Sequence, residues 1–213
     1  MTNKITKIAK DDNPSPFKLI FTLGLAGFLS GIAIIGIYET TLPTITAYKA
    51  KVLREAVFKV LPGVTQIKKF RYTEGNLQEA ASKDRDDDNT IYGGYNEQNV
   101  LIGYAITAEG PGFQDTIRIL YGYNMEKRLV VGMEVLESRE TPGLGDKIYK
   151  DADFQENFSA LQVEPSVVLV KKGAKSASNE VDAITGATIS SKAIVRIINK
   201  GNEKWLERLL NSE

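Results

Sequence analysis

The 213-residue chain contains no cysteine and no histidine. Those absences remove thiolate and imidazole, the usual ligands of haem, iron–sulfur clusters, zinc and copper. They also remove the general base of Ser–His and Cys–His hydrolases, and no disulfide framework exists to report a redox compartment. A surplus of charge is missing too: 27 Lys and Arg balance 27 Asp and Glu, so no overall field draws the chain to nucleic acid. No internal repeat is visible. Transfer or redox chemistry must then ride on a bound organic cofactor or on carboxylates.

What is present begins with an apolar run. Leu19 to Tyr38, LIFTLGLAGFLSGIAIIGIY, carries no charge over twenty residues; as a helix it spans roughly 30 Å, one bilayer core. The run exceeds the roughly 7 to 15 residues of a signal-peptide core, and no small-x-small cleavage site follows before Glu39. A retained transmembrane helix over 19–38 is therefore predicted, a buried soluble helix being the weaker alternative. The tail before it, residues 1–18, has Lys4, Lys7, Lys10 and Lys18 against Asp11 and Asp12, and the far flank has Lys49, Lys51 and Arg54. The short tail is placed in the cytoplasm and residues 39–213 outside. This predicts a single-pass protein of the cell (inner) membrane with its C-terminal domain on the extracytoplasmic side. Gly24, Gly27 and Gly31 share a helical face, a small-xxx-small arrangement that suits a partner helix.

Beyond the span, Ala47, Ala50, Leu53, Val57, Val60 and Leu61 recur at helical spacing over 44–61, and Pro62-Gly63 stops the run. Glu74 to Asn89 reads as a solvated loop. Its acids Asp84, Asp86, Asp87 and Asp88, interrupted by Arg85, lack the glycine and bidentate glutamate of a calcium loop. Strands are predicted at Thr90–Tyr95, Val100–Ala108, Thr116–Tyr123 and Arg128–Leu136, with hairpin-sized turns at Asn96–Asn99 and Asn124–Lys127. Ile117, Ile119 and Tyr121 define one face of an antiparallel sheet. A helix carrying Ile189, Ala193, Ile194, Ile197 and Ile198 is expected to end at Gly201, before a final helix with Trp205, Leu206, Leu209 and Leu210. The fold class is α+β, an antiparallel sheet with flanking helices.

Two segments depart from scaffold composition. Glu140-Thr141-Pro142-Gly143-Leu144-Gly145-Asp146-Lys147-Ile148 follows a strand, and its glycines permit close backbone approach to a flat or anionic ligand; alone it reads as a turn. Asp182-Ala183-Ile184-Thr185-Gly186-Ala187-Thr188-Ile189-Ser190-Ser191 ends where a helix begins. A phosphate near Thr188 would meet backbone donors and the Ser190 and Ser191 hydroxyls. The same hydroxyls equally suit helix capping. A Walker-type nucleotide loop is excluded, because its Gly-Lys-Ser/Thr ending is missing.

Asp182 followed by Thr185-Gly186-Ala187-Thr188 resembles the acceptor signature of FMN-binding domains that carry flavin mononucleotide through a threonine phosphoester. Glu140 to Ile148 resembles the ETPGLG loop shared by RnfG, a component of the Rnf electron-transport complex, and NqrC, a component of the sodium-translocating NADH:quinone reductase. Both motifs stand in the family's order behind one membrane span, and the similarity extends across essentially the whole chain. The compact length and the continuation Gly145-Asp146-Lys147-Ile148 favour the RnfG family. One departure is Gly112-Phe113-Gln114-Asp115, where Asp115 replaces the second glycine of the family's Gly-Tyr-x-Gly stretch.

The resemblance implies an electron-transfer subunit, without independent catalytic activity, of an ion-translocating ferredoxin:NAD oxidoreductase complex. It implies covalent FMN on Thr188, placed there by a flavin transferase that takes FMN from FAD and leaves AMP. Asp182, Thr185, Gly186 and Ala187 would form the recognised sequence. Ser190, Ser191, Thr141, Pro142, Gly143, Leu144, Gly145 and Lys147 would line the cofactor, with Lys147 favouring reduced, anionic flavin. Partners would be the other membrane and redox subunits of the Rnf complex. The alternatives are an NqrC-like component of the quinone reductase, a flavin-free anchored assembly subunit, and a stand-alone extracytoplasmic flavin reductase.

Overall fold

The computed structural model describes residues 15–81, 84 and 86–211. Apart from its last four residues, the expected cytoplasmic tail lies outside the described residues, as does Arg85 of the acidic loop. Two compact units divide near Lys49 and Ala50.

The first unit is the leading part of α1 (Pro16–Val60), a helix long and apolar enough to cross a membrane. Its apolar side chains are exposed all round, Phe17, Leu23, Phe28, Ile34 and Ile37 among them. No described residue comes within 4 Å of where a Cβ would stand on Gly24, Gly27 or Gly31. The sequence treats the span and the amphipathic stretch after it as separate segments; they form one continuous helix with Pro43 inside it. Proline withholds its own N–H and frees one carbonyl a turn earlier. Nearby, Thr40, Thr41 and Thr46 hydroxyls donate to carbonyls of the preceding turn. The helix stops at Val60 as expected, with Gly63 at φ +88°.

The second unit is built on a seven-stranded sheet. Its strands are β1 (Gln66–Thr73), β2 (Asn76–Glu79), β3 (Thr90–Tyr95), β4 (Leu101–Pro111), β5 (Thr116–Asn124), β6 (Leu129–Glu137) and β7 (Leu161–Gln162). They lie in the order β2-β1-β3-β4-β5-β6-β7, each neighbouring pair antiparallel. After β6 come two short helices, α2 (Lys147–Lys150) and α3 (Ala152–Glu156). A small parallel pair, β8 (Val168–Val170) and β9 (Glu180–Asp182), then leads into α4 (Thr188–Leu210).

Strand alternation divides the core between the two sheet faces. Ile91, Ile106, Ile119, Tyr121 and Tyr123 pack on one side with Ile194, Ile197, Ile198 and Trp205 of α4. Tyr92, Ala105 and Leu120 point the other way, onto Ala56, Val57, Val60 and Leu61 at the end of α1. Gly122 and Gly132, partners across β5 and β6, seat that helix end: a Cβ on Gly122 would collide with the Val60 carbonyl oxygen, and one on Gly132 would fall 2.7 Å from Val60 Cα. Fully burying each of these aliphatic side chains is worth about 1.5–3 kcal/mol.

The four predicted strands stand as β3 to β6, and the α+β class holds. Two corrections concern neighbouring segments. Within the expected loop Glu74–Asn89, residues 76–79 form β2, because Glu74 (φ +53°) and Gly75 (φ +90°) make a two-residue hairpin turn that pairs Thr73 with Asn76. The acids that follow are tied down: Asp86 pairs with buried Lys69 Nζ at 2.5 Å, and Asp87 with Arg71 at 3.2 Å. Gly201 does not end a helix. α4 runs through it, and its role is space, since a Cβ there would stand 2.5 Å from Tyr121 Oη, which donates to Asn202 Oδ1 at 3.0 Å.

Candidate functional site

The two motif segments meet. Glu140, 5% exposed and placed just after β6, joins them to a third, the turn after β4. Its Oε1 accepts the N–H of Phe113 and of Gln114, both at 3.0 Å. Its Oε2 accepts the hydroxyl of Ser190 in the first turn of α4. The turn itself closes by Gly112 N–H donating to the Asp115 carbonyl at 2.8 Å, so the replacement of a glycine by Asp115 leaves a formed turn. Thr141 Oγ1 donates to Gln114 Oε1 at 3.1 Å, bracing the same turn from the loop. Burial pushes the Glu140 carboxyl up, but the Ser190 hydroxyl and the backbone N–H groups of Gln114, Phe113 and Asp115 outweigh it, and the net shift is below the ordinary carboxylate range.

The loop glycines do different things. Gly145 is the close-packed one: a Cβ on it would stand 2.7 Å from Glu140 Oε2 and 2.9 Å from Ser190 Oγ. Gly143 faces open space and is set apart by φ +78°, a left-handed conformation that glycine adopts without steric cost. Pro142 and Leu144 are exposed, and Lys147, half-buried, opens α2. The loop's Asp146 is buried and accepts from Lys150 Nζ at 2.6 Å; that ammonium, foremost, holds its carboxyl below the usual range.

On the other segment, Asp182 closes β9, and its Oδ1 accepts the N–H of Ala174 (3.2 Å) and Lys175 (3.1 Å). Thr185 and Gly186 are exposed, Gly186 at φ +84°, and the Ala187 N–H donates to the Ile184 carbonyl at 3.0 Å. α4 then opens on Thr188, which is exposed. The residue before it, Ala187, offers no capping side chain. The first-turn N–H groups of an α-helix have no partner inside it, and they carry the positive end of the helix dipole.

Ser190 and Ser191, expected to turn toward a phosphate, are committed inside the domain. Ser190 donates to Glu140, while Ser191 Oγ accepts the Ile184 N–H at 3.1 Å and donates to the Ala187 carbonyl at 3.0 Å. They hold the turn that presents Thr188. The three segments that meet at Glu140 carry three exposed apolar side chains: Phe113 (64%), Leu144 (51%) and Ile189 (58%). Each is Glu140's partner or the chain neighbour of a residue packed on Glu140.

Sequence reasoning names Glu140 only as the first letter of a loop and misses its role. A buried carboxylate needs donors, yet nothing in the spacing says that two of them come from residues 113 and 114 and another from residue 190.

Residues 112–203, the stretch holding all three segments, match the family described as FMN-binding domain. The chain is 30% identical over 187 residues to the G-type subunit of the ion-translocating oxidoreductase complex of Methanosarcina acetivorans, covering 86% of this chain and 91% of that one. It is 29% identical over 198 residues to the G-type subunit of the proton-translocating ferredoxin:NAD(+) oxidoreductase complex of Clostridium ljungdahlii, covering 92% and 96%. Among solved structures the fold is that of NqrC from Shewanella oneidensis, with a TM-score of 0.63 at 18% identity over 78% of this chain and 100% of that one. With 30% identity sustained over nine tenths of a relative's length, the chain belongs to the family of G-type subunits of ion-translocating oxidoreductase complexes.

Proposed function

We propose that this chain is a membrane-anchored electron relay of a ferredoxin:NAD oxidoreductase complex, carrying FMN covalently through a phosphoester on Thr188. The observation that carries the reading is the exposed Thr188 hydroxyl at the uncapped start of α4. The unpaired N–H groups of a helix start suit a phosphoryl group there. Phe113, Leu144 and Ile189 offer apolar surface to a flat ring beside it.

Attachment joins the Thr188 oxygen to the phosphorus of the FMN moiety of FAD; the pyrophosphate bond breaks, AMP leaves, and the hydroxyl proton passes to solvent. A flavin transferase is the partner for this step, and the Thr185-Gly186 turn is exposed to it; Asp182, three residues earlier, holds the 174–175 backbone. Bound FMN supplies the capacity to take and give electrons. The chain's own residues orient it: Ala187 and Ser191 shape the turn, and Thr141 to Gly145 with Lys147 flank it. A phosphoester keeps the cofactor in place outside the cytoplasm, where no flavin pool replaces losses. Residues 19–38 cross the membrane, and the domain after them faces the extracytoplasmic side, docked on the other membrane and redox subunits. Gly24, Gly27 and Gly31 on the span suit a neighbouring helix.

The test is the intact mass of the full chain produced with a flavin transferase, beside Thr188→Ala. The wild type gains one FMN less one water and shows in-gel flavin fluorescence. The variant gains nothing and stays folded, since the substitution costs about 1 kcal/mol or less at this position. Fluorescence that survives denaturation in Thr188→Ala would sink the assignment, and a mass without flavin in the wild type would favour an assembly subunit.

A further inference from the structure

The turn after β4, the loop after β6 and the start of α4 converge on the buried carboxylate of Glu140. Shape alone does not require a charge at that point, and an ionised group is costly to remove from water. Here its cost is offset by N–H and O–H donors on both oxygens. One donor, Ser190, lies two residues beyond Thr188 in the same helical turn, and Gly145 leaves no room for a side chain between the loop and that contact.

We propose that Glu140 is a positioning residue of the flavin site: through Ser190 it fixes the turn bearing Thr188 against the 141–145 loop, and its fixed negative charge holds the bound flavin's reduction potential down. This rests on the reading of Thr188 as the flavin carrier. Reduction adds negative charge to the flavin ring, and a like charge fixed in a partly dry site opposes that gain.

Glu140→Gln separates charge from shape. The amide oxygen can still accept from Phe113 and Gln114, and the amide nitrogen can donate to Ser190 Oγ. In the full chain, produced with a flavin transferase and held in detergent, Glu140→Gln is expected to load flavin as the wild type does and to keep slow hydrogen exchange at the Phe113 and Gln114 amides. Its flavin midpoint potential should rise by about 30 mV, roughly a threefold change in a one-electron equilibrium at 59 mV per decade. Glu140→Ala should speed exchange at both amides and lower loading several-fold when transferase is limiting. An unchanged potential in fully loaded Glu140→Gln overturns the electrostatic part. Slow exchange with full loading in Glu140→Ala overturns the positioning part. If the wild type itself carries no covalent flavin, the functional reading fails separately, and amide exchange in the two variants still decides whether Glu140 fixes this turn.

Discussion

Replacing Gly145 with alanine adds one methyl group where the loop after β6 meets the first turn of α4. That Cβ would fall 2.7 Å from Glu140 Oε2, 2.8 Å from Glu140 Cβ and 2.9 Å from Ser190 Oγ. Carboxylate tips usually swing aside, but this one is pinned by two backbone N–H groups on Oε1 and the Ser190 hydroxyl on Oε2. Overpacking of this kind costs about 1–3 kcal/mol, and pulling the carboxylate off one charged hydrogen bond adds about 1.5–3 kcal/mol. A total of about 2.5–6 kcal/mol follows, or a fall in Tm of about 5–24 °C for a domain of this size at roughly 2–4 °C per kcal/mol. Gly143→Ala is the internal control. Its methyl meets no described residue within 4 Å, so only the left-handed φ of +78° counts against it, about 1–2 kcal/mol. Thermal melts of the full-length protein in detergent, followed by far-ultraviolet circular dichroism, compare the two. If Gly145→Ala is tolerated as well as Gly143→Ala, the loop is not seated on Glu140 and the convergence of the three segments is wrong.

Gly201→Ala places a methyl 2.5 Å from Tyr121 Oη and disrupts its buried bond to Asn202, so urea denaturation should show a loss of about 2–3 kcal/mol; a loss under about half a kcal/mol would show that α4 can slide. The Glu140 carboxyl titrates below its ordinary value of 4.5 in the folded chain, so its stabilisation is complete above that value and lost as pH falls through the folded pKa. The stability gap between wild type and Glu140→Gln should therefore shrink as pH drops from about 6 to about 3, and a pH-independent gap contradicts an ionised, donor-held Glu140. Protease added to intact spheroplasts should digest the domain after residue 38; cleavage confined to inverted vesicles would reverse the proposed topology and leave Thr188 out of reach of an exported transferase.

Sequence periodicity reads well where it is long. The apolar run of α1 is long enough to fix an element, and the alternation of β5 and the spacing of Ile194, Ile197 and Ile198 repeat often enough to fix an element and the face it turns to α4 or to the sheet. It fails where structure is brief: α2, α3, β7, β8 and β9 have two to five residues each, too few for a period, and β8 with β9 exist only because they pair with each other. Glu74-Gly75 carried a hairpin signal hidden among polar residues, since Glu74 is not a usual left-handed residue. Gly201 misled for the opposite reason: glycine near the end of a helical pattern suggests a stop, and only Tyr121 across the core explains why the helix continues. At the site, both motifs stand out by composition, whereas the bond from Ser190 to Glu140 depends on a fold that brings residue 190 beside residue 140.

The glycine pair beneath Val60 has a practical side. Because β5 and β6 are bare at Gly122 and Gly132, the last turns of α1 rest directly on their backbones and shield Ala105 and Leu120 from water. The helix that leads out of the apolar segment is thus also a floor tile of the domain, not a detachable stalk. A fragment freed of residues 19–38 has to keep the Ala50–Val60 end of α1; one that starts at β1 exposes a strip of bare, hydrophobic sheet and would associate through it.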